Sequence, residues 1–251
     1  MSAKEENKSH SNDSKKTSNK KEMEKSVENK KSTASQEVLV SVGAANEDNK
    51  KLWLKISDYN LTVFDKKVLE AHNQWLTDNI LNAAQFLLKK QFPRIRGLQN
   101  VLLNISQGFQ PIERNQSFVQ IVNEGGNHWV VLSNAKINNK INKCVIYDSN
   151  GLTQKFGINY SEEVKKAVLR LIRADIIDIE IAYVFQQPDQ NQCGLYAIAF
   201  AHALCSGTDP TDICFSSSAT LLRQHLIRCL TKRQIFSFPT GKNTVIDTFI
   251  I

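Results

Sequence analysis

The chain has 251 residues, 41% of them hydrophobic, enough to bury one substantial core. Its formal net charge of +7 is diffuse, and no apolar run approaches the roughly 20 residues of a membrane span, so neither nucleic acid nor a membrane is an expected partner. Five cysteines (Cys144, Cys193, Cys205, Cys214 and Cys229) lack short paired spacing, and the N-terminus has no signal-peptide core; reduced thiols in the nucleus or cytoplasm are expected.

Residues 1–36 are rich in Lys, Ser, Glu and Asn, with nine lysines against six acids and no aromatic residue. Such a segment has too little apolar surface to offset the entropy of ordering, so a disordered tail is expected. Lys15-Lys16 and Lys20-Lys21 could form a weak nuclear-import element, although a solvated leader is the simpler reading. Residues 37–251 read as a single domain, in which 37–60 shows no clear pattern.

A helix is expected over 79–91, with Ile80, Ala84, Leu87 and Leu88 on one face. A strand over 118–122 precedes Gly125-Gly126-Asn127-His128 and a second strand from Trp129. After the polar break Asn138-Asn139-Lys140, a third strand runs through Val145 to Asp148, which makes a hairpin the economical reading. Ser161 caps a helix with Glu162 and Glu163 in its first turn and Val164, Val168, Leu171 and Ile172 on its buried side. Residues 181–185 read as a buried strand, followed by a helix that opens near Cys193 and stops at Gly207. In the last expected helix, 218–233, His225 and Cys229 stand four apart on the apolar face. A metal site with Cys205 and Cys214 is conceivable there, but core packing fits better. The elements make an α+β domain, and nothing in them calls for a cofactor or a metal.

The chemistry converges on three of these elements. A thiol at a helix N-terminus meets exposed N–H groups and the positive end of the macrodipole, which favour the thiolate. Within the hairpin, the strand ending at Asp148 can lie beside the one starting at His128, so the carboxylate could orient the imidazole toward Cys193. Taken singly, each residue has a plainer role: inert packing for Cys193, a backbone hydrogen bond for His128, an Asx turn for Asp148.

Together these residues carry a resemblance. Trp75-Leu76-Thr77-Asp78-Asn79-Ile80-Leu81-Asn82, His128-Trp129, Tyr147-Asp148-Ser149 and Gln187 ahead of Cys193-Gly194-Leu195-Tyr196 are similar, in order and spacing, to the ubiquitin-like-protein-specific cysteine proteases. That SUMO-deconjugating family is related to the adenovirus endopeptidase, and the resemblance runs from about 52 to 239. It implies a papain-like, adenain-like fold: a mixed sheet flanked by helices, with the nucleophile at a helix N-terminus. By the same resemblance Cys193 is the nucleophile, His128 the base, Asp148 its orienting acid and Gln187 the side-chain donor of the oxyanion hole.

Trp75 and Trp129 match the tryptophans that enclose a Gly-Gly tail, and Asp78 matches a residue near that channel. With Thr77, Asp78 could instead cap the following helix. The implied partner is a ubiquitin-like modifier, SUMO first, with NEDD8 or ubiquitin as alternatives, and a monomeric enzyme is expected. A polyprotein-processing protease of a virus or mobile element, or a modifier-binding module without turnover, are the competing readings. Two positions depart from the family pattern. Asp189 stands where Asn is usual, and Gln192 stands where Asp usually precedes the cysteine.

Overall fold

Reciprocal capping sets the start of the domain. In the computed structural model, which describes residues 47–113, 116–126, 128–135, 143–151, 160–173 and 178–241, strands Leu52–Ile56 (β1) and Tyr59–Thr62 (β2) pair antiparallel. Thr62 then opens helix α1 (Val63–Glu70): its hydroxyl accepts the Asp65 N–H, while the Asp65 carboxylate accepts the Thr62 N–H at 2.8 Å. The other oxygen of this buried carboxylate accepts the Thr77 hydroxyl at 2.6 Å. Thr77 in turn caps helix α2 (Asp78–Gln91) by accepting the Ile80 N–H. One side chain thus ties two helix starts together and fixes the segment between them, which carries Trp75.

The sheet has five strands in the order β3 (Arg96–Gly97), β4 (Phe118–Asn123), β5 (Trp129–Ser133), β6 (Lys143–Tyr147) and β7 (Asp178–Ala182). Its central pairs, β4–β5 and β5–β6, are antiparallel and its outer pairs parallel, so the sheet is mixed. The expected hairpin is the β5–β6 pair. Helices α3 (Glu162–Ile172), α4 (Cys193–Cys205) and α5 (Ala219–Lys232) complete the domain.

Strand alternation divides the interior. Val119, Ile121, Val131, Val145 and Tyr147 face the core shared with α2, α4 and α5. Phe118, Val122, Val130, Leu132 and Ile146 face Val164, Ala167, Val168 and Leu171 of α3. Helix α4 is buried along all 13 residues, which is why it shows no polar face in sequence.

Caps and faces fall as expected for α2 and α3: Ile80, Ala84, Leu87 and Leu88 are buried, and the Ser161 hydroxyl accepts the Val164 N–H. His225 and Cys229 face each other at 3.3 Å beside Phe238. The reading of 181–185 as a buried strand requires correction. The strand is Asp178–Ala182, it forms the sheet edge, and Ile179 and Ile181 are each 40% exposed. An apolar run reports β-propensity but not which strand ends up at an edge, and here Lys143 holds Glu180 and Asp178 along that edge. The expected tail at 1–36, the break at 138–140 and Asn127 lie outside the described residues. Among the described residues, no helix is long and apolar enough to cross a membrane.

Candidate active site

A tight return between β4 and β5 sets His128. The Asn123 side-chain oxygen accepts the N–H groups of Gly125 and Gly126 at 2.9 and 3.0 Å, and the Glu124 N–H donates to the His128 carbonyl at 2.9 Å. Gly125 takes a φ of +98°, a conformation open to glycine and strained for other residues. On the neighbouring strand Tyr147 stands opposite Val131, so Asp148, one residue further, comes alongside the beginning of β5.

Asp148 Oδ1 lies 2.8 Å from His128 Nε2 and also accepts the Asn150 N–H at 2.7 Å. The carboxylate is buried, and its Oδ2 has no partner among the described residues. With Nε2 engaged by Asp148, Nδ1 is left for Cys193, whose side chain also hydrogen-bonds the imidazole. Burial disfavours the imidazolium, but the hydrogen bonds and charges of Asp148 and Cys193 outweigh it. The His128 pKa is pushed up to about 10.

Cys193 is the first residue of α4, behind Gln192, whose side chain makes no capping bond to the helix. It is 1% exposed. Gly194 allows the adjoining segment to come close: a Cβ built there would stand 3.1 Å from the Leu76 Cβ. This approach brings the Trp75 segment up to the start of α4, next to Cys193. The Trp75 indole N–H donates to the Gln190 carbonyl at 3.0 Å, spanning from the α2 side to the loop before Cys193.

That loop also holds Gln187. Its backbone N–H donates to the Ser149 carbonyl at 2.8 Å, and its side-chain oxygen accepts the Ser149 hydroxyl at 2.7 Å. Its Nε2 donates to the Asp189 carbonyl. Ser149 therefore fixes which way the amide faces.

A cleft of about 430 Å³ is lined by Trp75, His128, Asn150, Gln187 and the loop 188–190. A second, of about 310 Å³, is lined by Trp75, Asp78, Leu102, Asn123 and Trp129 among others. Trp75 belongs to both, so the two clefts adjoin at its side chain, the first of them reaching His128. Trp75 is 40% exposed and thus no core residue, whereas Trp129 is 7% exposed and mostly packed. Thr77 does the capping of α2, which leaves Asp78 to line the second cleft. Trp75, His128, Gln187, Asp78 and Trp129 thus line these clefts, while Asp148 and Cys193 stand next to them through their bonds to His128.

The model of the Ulp1 protease family, C-terminal catalytic domain, matches residues 46–229. The chain belongs to the Ulp1 protease family. It is accordingly a cysteine peptidase, a hydrolase. No curated protein matches it significantly by sequence. Among solved structures, the SUMO protease Ulp1 with its catalytic cysteine oxidised to a sulfinic acid superposes with a TM-score of 0.56 at 20% identity, over 75% of this chain and 94% of that one. The C-terminal Ulp1 protease domain in complex with Smt3, the yeast ortholog of SUMO, gives 0.55 at 17% identity, over 75% and 94%. The Chaetomium thermophilum Ulp1-like SUMO protease catalytic domain gives 0.52 at 16%, over 83% and 92%. At these identities the likeness establishes the fold: the α+β, papain-like arrangement of a mixed sheet with helices.

Two residues of this Ulp1-family site were not singled out in the sequence. Ser149 enters the sequence only as the last residue of the Tyr147-Asp148-Ser149 motif, with no role of its own, although its place directly after Asp148 puts it beside His128 and Gln187. Glu124 lies four residues before His128, where a hairpin turn would bring it back beside the imidazole. Among the described residues, Glu124, His128 and Asp148 form the grouping whose ligand atoms, all within 4.8 Å of one another, could hold a metal. Asp148 already engages His128 Nε2, so the trio is an imidazole flanked by two carboxylates rather than an open metal cup.

Proposed function

We propose that this peptidase cleaves the bond after the C-terminal Gly-Gly of a ubiquitin-like modifier, with SUMO the first candidate. The observation that carries the reading is the His128–Asp148 bond of 2.8 Å beside Cys193, with adjoining clefts lined by Trp75 and Trp129. Two flat indoles suit a peptide without side chains and reject one with Cβ atoms. The solved relatives include a Ulp1 domain in complex with Smt3, which supports SUMO as the first choice.

In this mechanism the Cys193 proton resides on His128, and the Sγ thiolate attacks the glycine carbonyl carbon. The oxyanion that forms is met by the Cys193 backbone N–H and by the Gln187 Nε2, which swings from the Asp189 carbonyl. The imidazolium then donates its proton to the leaving amine, a lysine side chain or a peptide nitrogen, and a thioester remains on Cys193. Water, deprotonated by His128, attacks the thioester and releases the modifier carboxylate and the thiol. Asp148 holds the ring orientation throughout and balances the imidazolium. Five free cysteines suit a reducing compartment, nucleus or cytoplasm, and a monomer suffices for this chemistry.

The test is labelling of the full chain with SUMO, NEDD8 and ubiquitin bearing C-terminal electrophiles, beside a Cys193→Ser control. An adduct with one modifier, lost in the control, is expected. No adduct with any of the three, in a protein whose Cys193 still reacts with a small thiol probe, would replace the modifier reading with a sequence-specific processing protease.

A further inference from the structure

Glu124 is half-buried in the β4–β5 turn, and the reaction as written above makes no use of it. Three observations give it a place. Its carboxylate lies within 4.8 Å of both a His128 ring nitrogen and an Asp148 oxygen. The residue is held at both ends: its N–H donates to the His128 carbonyl at 2.9 Å, and its carboxylate accepts the backbone N–H of Ser161, the cap residue of α3. Behind it, Asp148 Oδ2 and the Tyr160 hydroxyl are both buried without a partner among the described residues, and Tyr160 is close enough to feel both carboxylates.

We propose that Glu124 is a positioning residue of this peptidase: a second carboxylate against His128 that, together with Asp148, keeps the imidazole oriented and protonated opposite Cys193. The proposal rests on the Cys193–His128–Asp148 reading of the mechanism and adds a fourth group to it.

The groups around the imidazole come from every neighbouring element. Glu124 stands on the turn, Asp148 at the end of β6, Cys193 at the start of α4 and Tyr160 just before α3. Asp189 lines the same cleft as His128, and the Glu163 carboxylate packs against Gly125. Three of these can be anionic within a few ångströms of one ring: Glu124, Asp148 and Cys193. Burial raises the proton affinity of Glu124, His128 opposes that, and Asp148 adds to it. The His128 charge and the Ser161 N–H both favour the ionised form of Glu124. Reciprocally, Glu124 makes the imidazolium harder to discharge. The chemical consequence is a trade. The thiolate–imidazolium pair persists to higher pH, while the proton leaves more reluctantly for the amine.

Glu124→Gln keeps the length and an acceptor for the Ser161 N–H but removes the charge. The measurement is the NMR titration of the His128 ring in the full chain, assigned by the resonance missing from His128→Gln. The midpoint is expected to fall by about one pH unit, with an intermediate fall in Glu124→Asp. The alkaline limb of kcat/KM should move with it. Should Glu124→Gln fail to fold, Glu124→Asp, which only draws the carboxylate back, supplies the same readout. An unmoved midpoint, whether or not activity drops, would make Glu124 an ordinary turn residue and overturn the proposal. Ring titration needs no substrate, so failure of every modifier probe would count against the Gly-Gly reading alone.

Discussion

Gln192 donates its side-chain amide to the Asp189 carboxylate, joining the two positions at which the chain departs from the family pattern. Where Asn and Asp are usual, Asp and Gln stand here, so the amide and the carboxylate have exchanged places. The negative charge moves from the residue beside Cys193 to one three positions earlier that is exposed. The loop keeps its cross-link, and Cys193 has an amide rather than a carboxylate as its preceding neighbour.

That exchange makes a double-mutant cycle informative. Gln192→Asp alone sets a buried carboxylate against Asp189 and should cost about 1–3 kcal/mol, with a slower reaction of Cys193 toward alkylating agents. Asp189→Asn alone should cost less, because Asn retains an acceptor. Combining them restores a donor–acceptor pair, and urea unfolding should show the double variant more stable than Gln192→Asp. Strict additivity would mean that the two side chains do not interact.

The raised proton affinity of His128 has a pH signature. Its folded-state pKa of about 10 lies above the ordinary 6.5, so its contribution to stability is complete below about 6.5 and disappears as the pH climbs through about 10. The unfolding temperature should decline across that window, and less so in His128→Gln. Activity should fall above about pH 10 as the imidazolium that protonates the leaving amine is lost. An alkaline limb near pH 7 would contradict this.

Gly194→Ala tests the contact between α4 and the Trp75 segment. The added methyl would stand 3.1 Å from the Leu76 Cβ, forcing the segment outward. A stability loss of about 1–3 kcal/mol is expected by calorimetry, with a larger proportional loss on modifier substrates than on a small thiol probe. Equal losses on both would separate the contact from substrate binding.

Ser149→Ala removes the hydroxyl that holds the Gln187 amide at 2.7 Å. The side chain would then sample both orientations of its amide. Turnover should drop roughly tenfold, against roughly 10²–10³ for Gln187→Ala, with KM little changed in either. A Ser149→Ala enzyme as fast as the parent would show that the amide finds its orientation unaided.

Much of this was legible because local rules and tertiary outcome agree. Ser161 and the spacing of Val164, Val168 and Leu171 specify α3 in isolation, and Gly125-Gly126 announces the return that sets His128. The capping box at Thr62 and Asp65 is equally local, but no helix is assigned there from the sequence, where the first expected helix is 79–91. What no local rule could give is partnership at a distance. Ile181 looks like a core residue until the sheet order places it at an edge, and Ser149 is only the tail of the Tyr147-Asp148-Ser149 motif until Gln187 arrives 38 positions later. Glu124 is the same case, since an acid in a hairpin turn is unremarkable unless the opposite strand delivers a second acid.

The full burial of α4 has a consequence for how the molecule fails. A helix packed on all sides exchanges its amide hydrogens only when the whole domain opens, so Cys193 sits on the part of the chain least able to open by itself. The rims of the clefts, the Trp75 segment and the loop 187–191, are attached to that helix from outside. As the molecule is heated, substrate selection should decay first, and the bare reactivity of the thiol should vanish only with the cooperative melt.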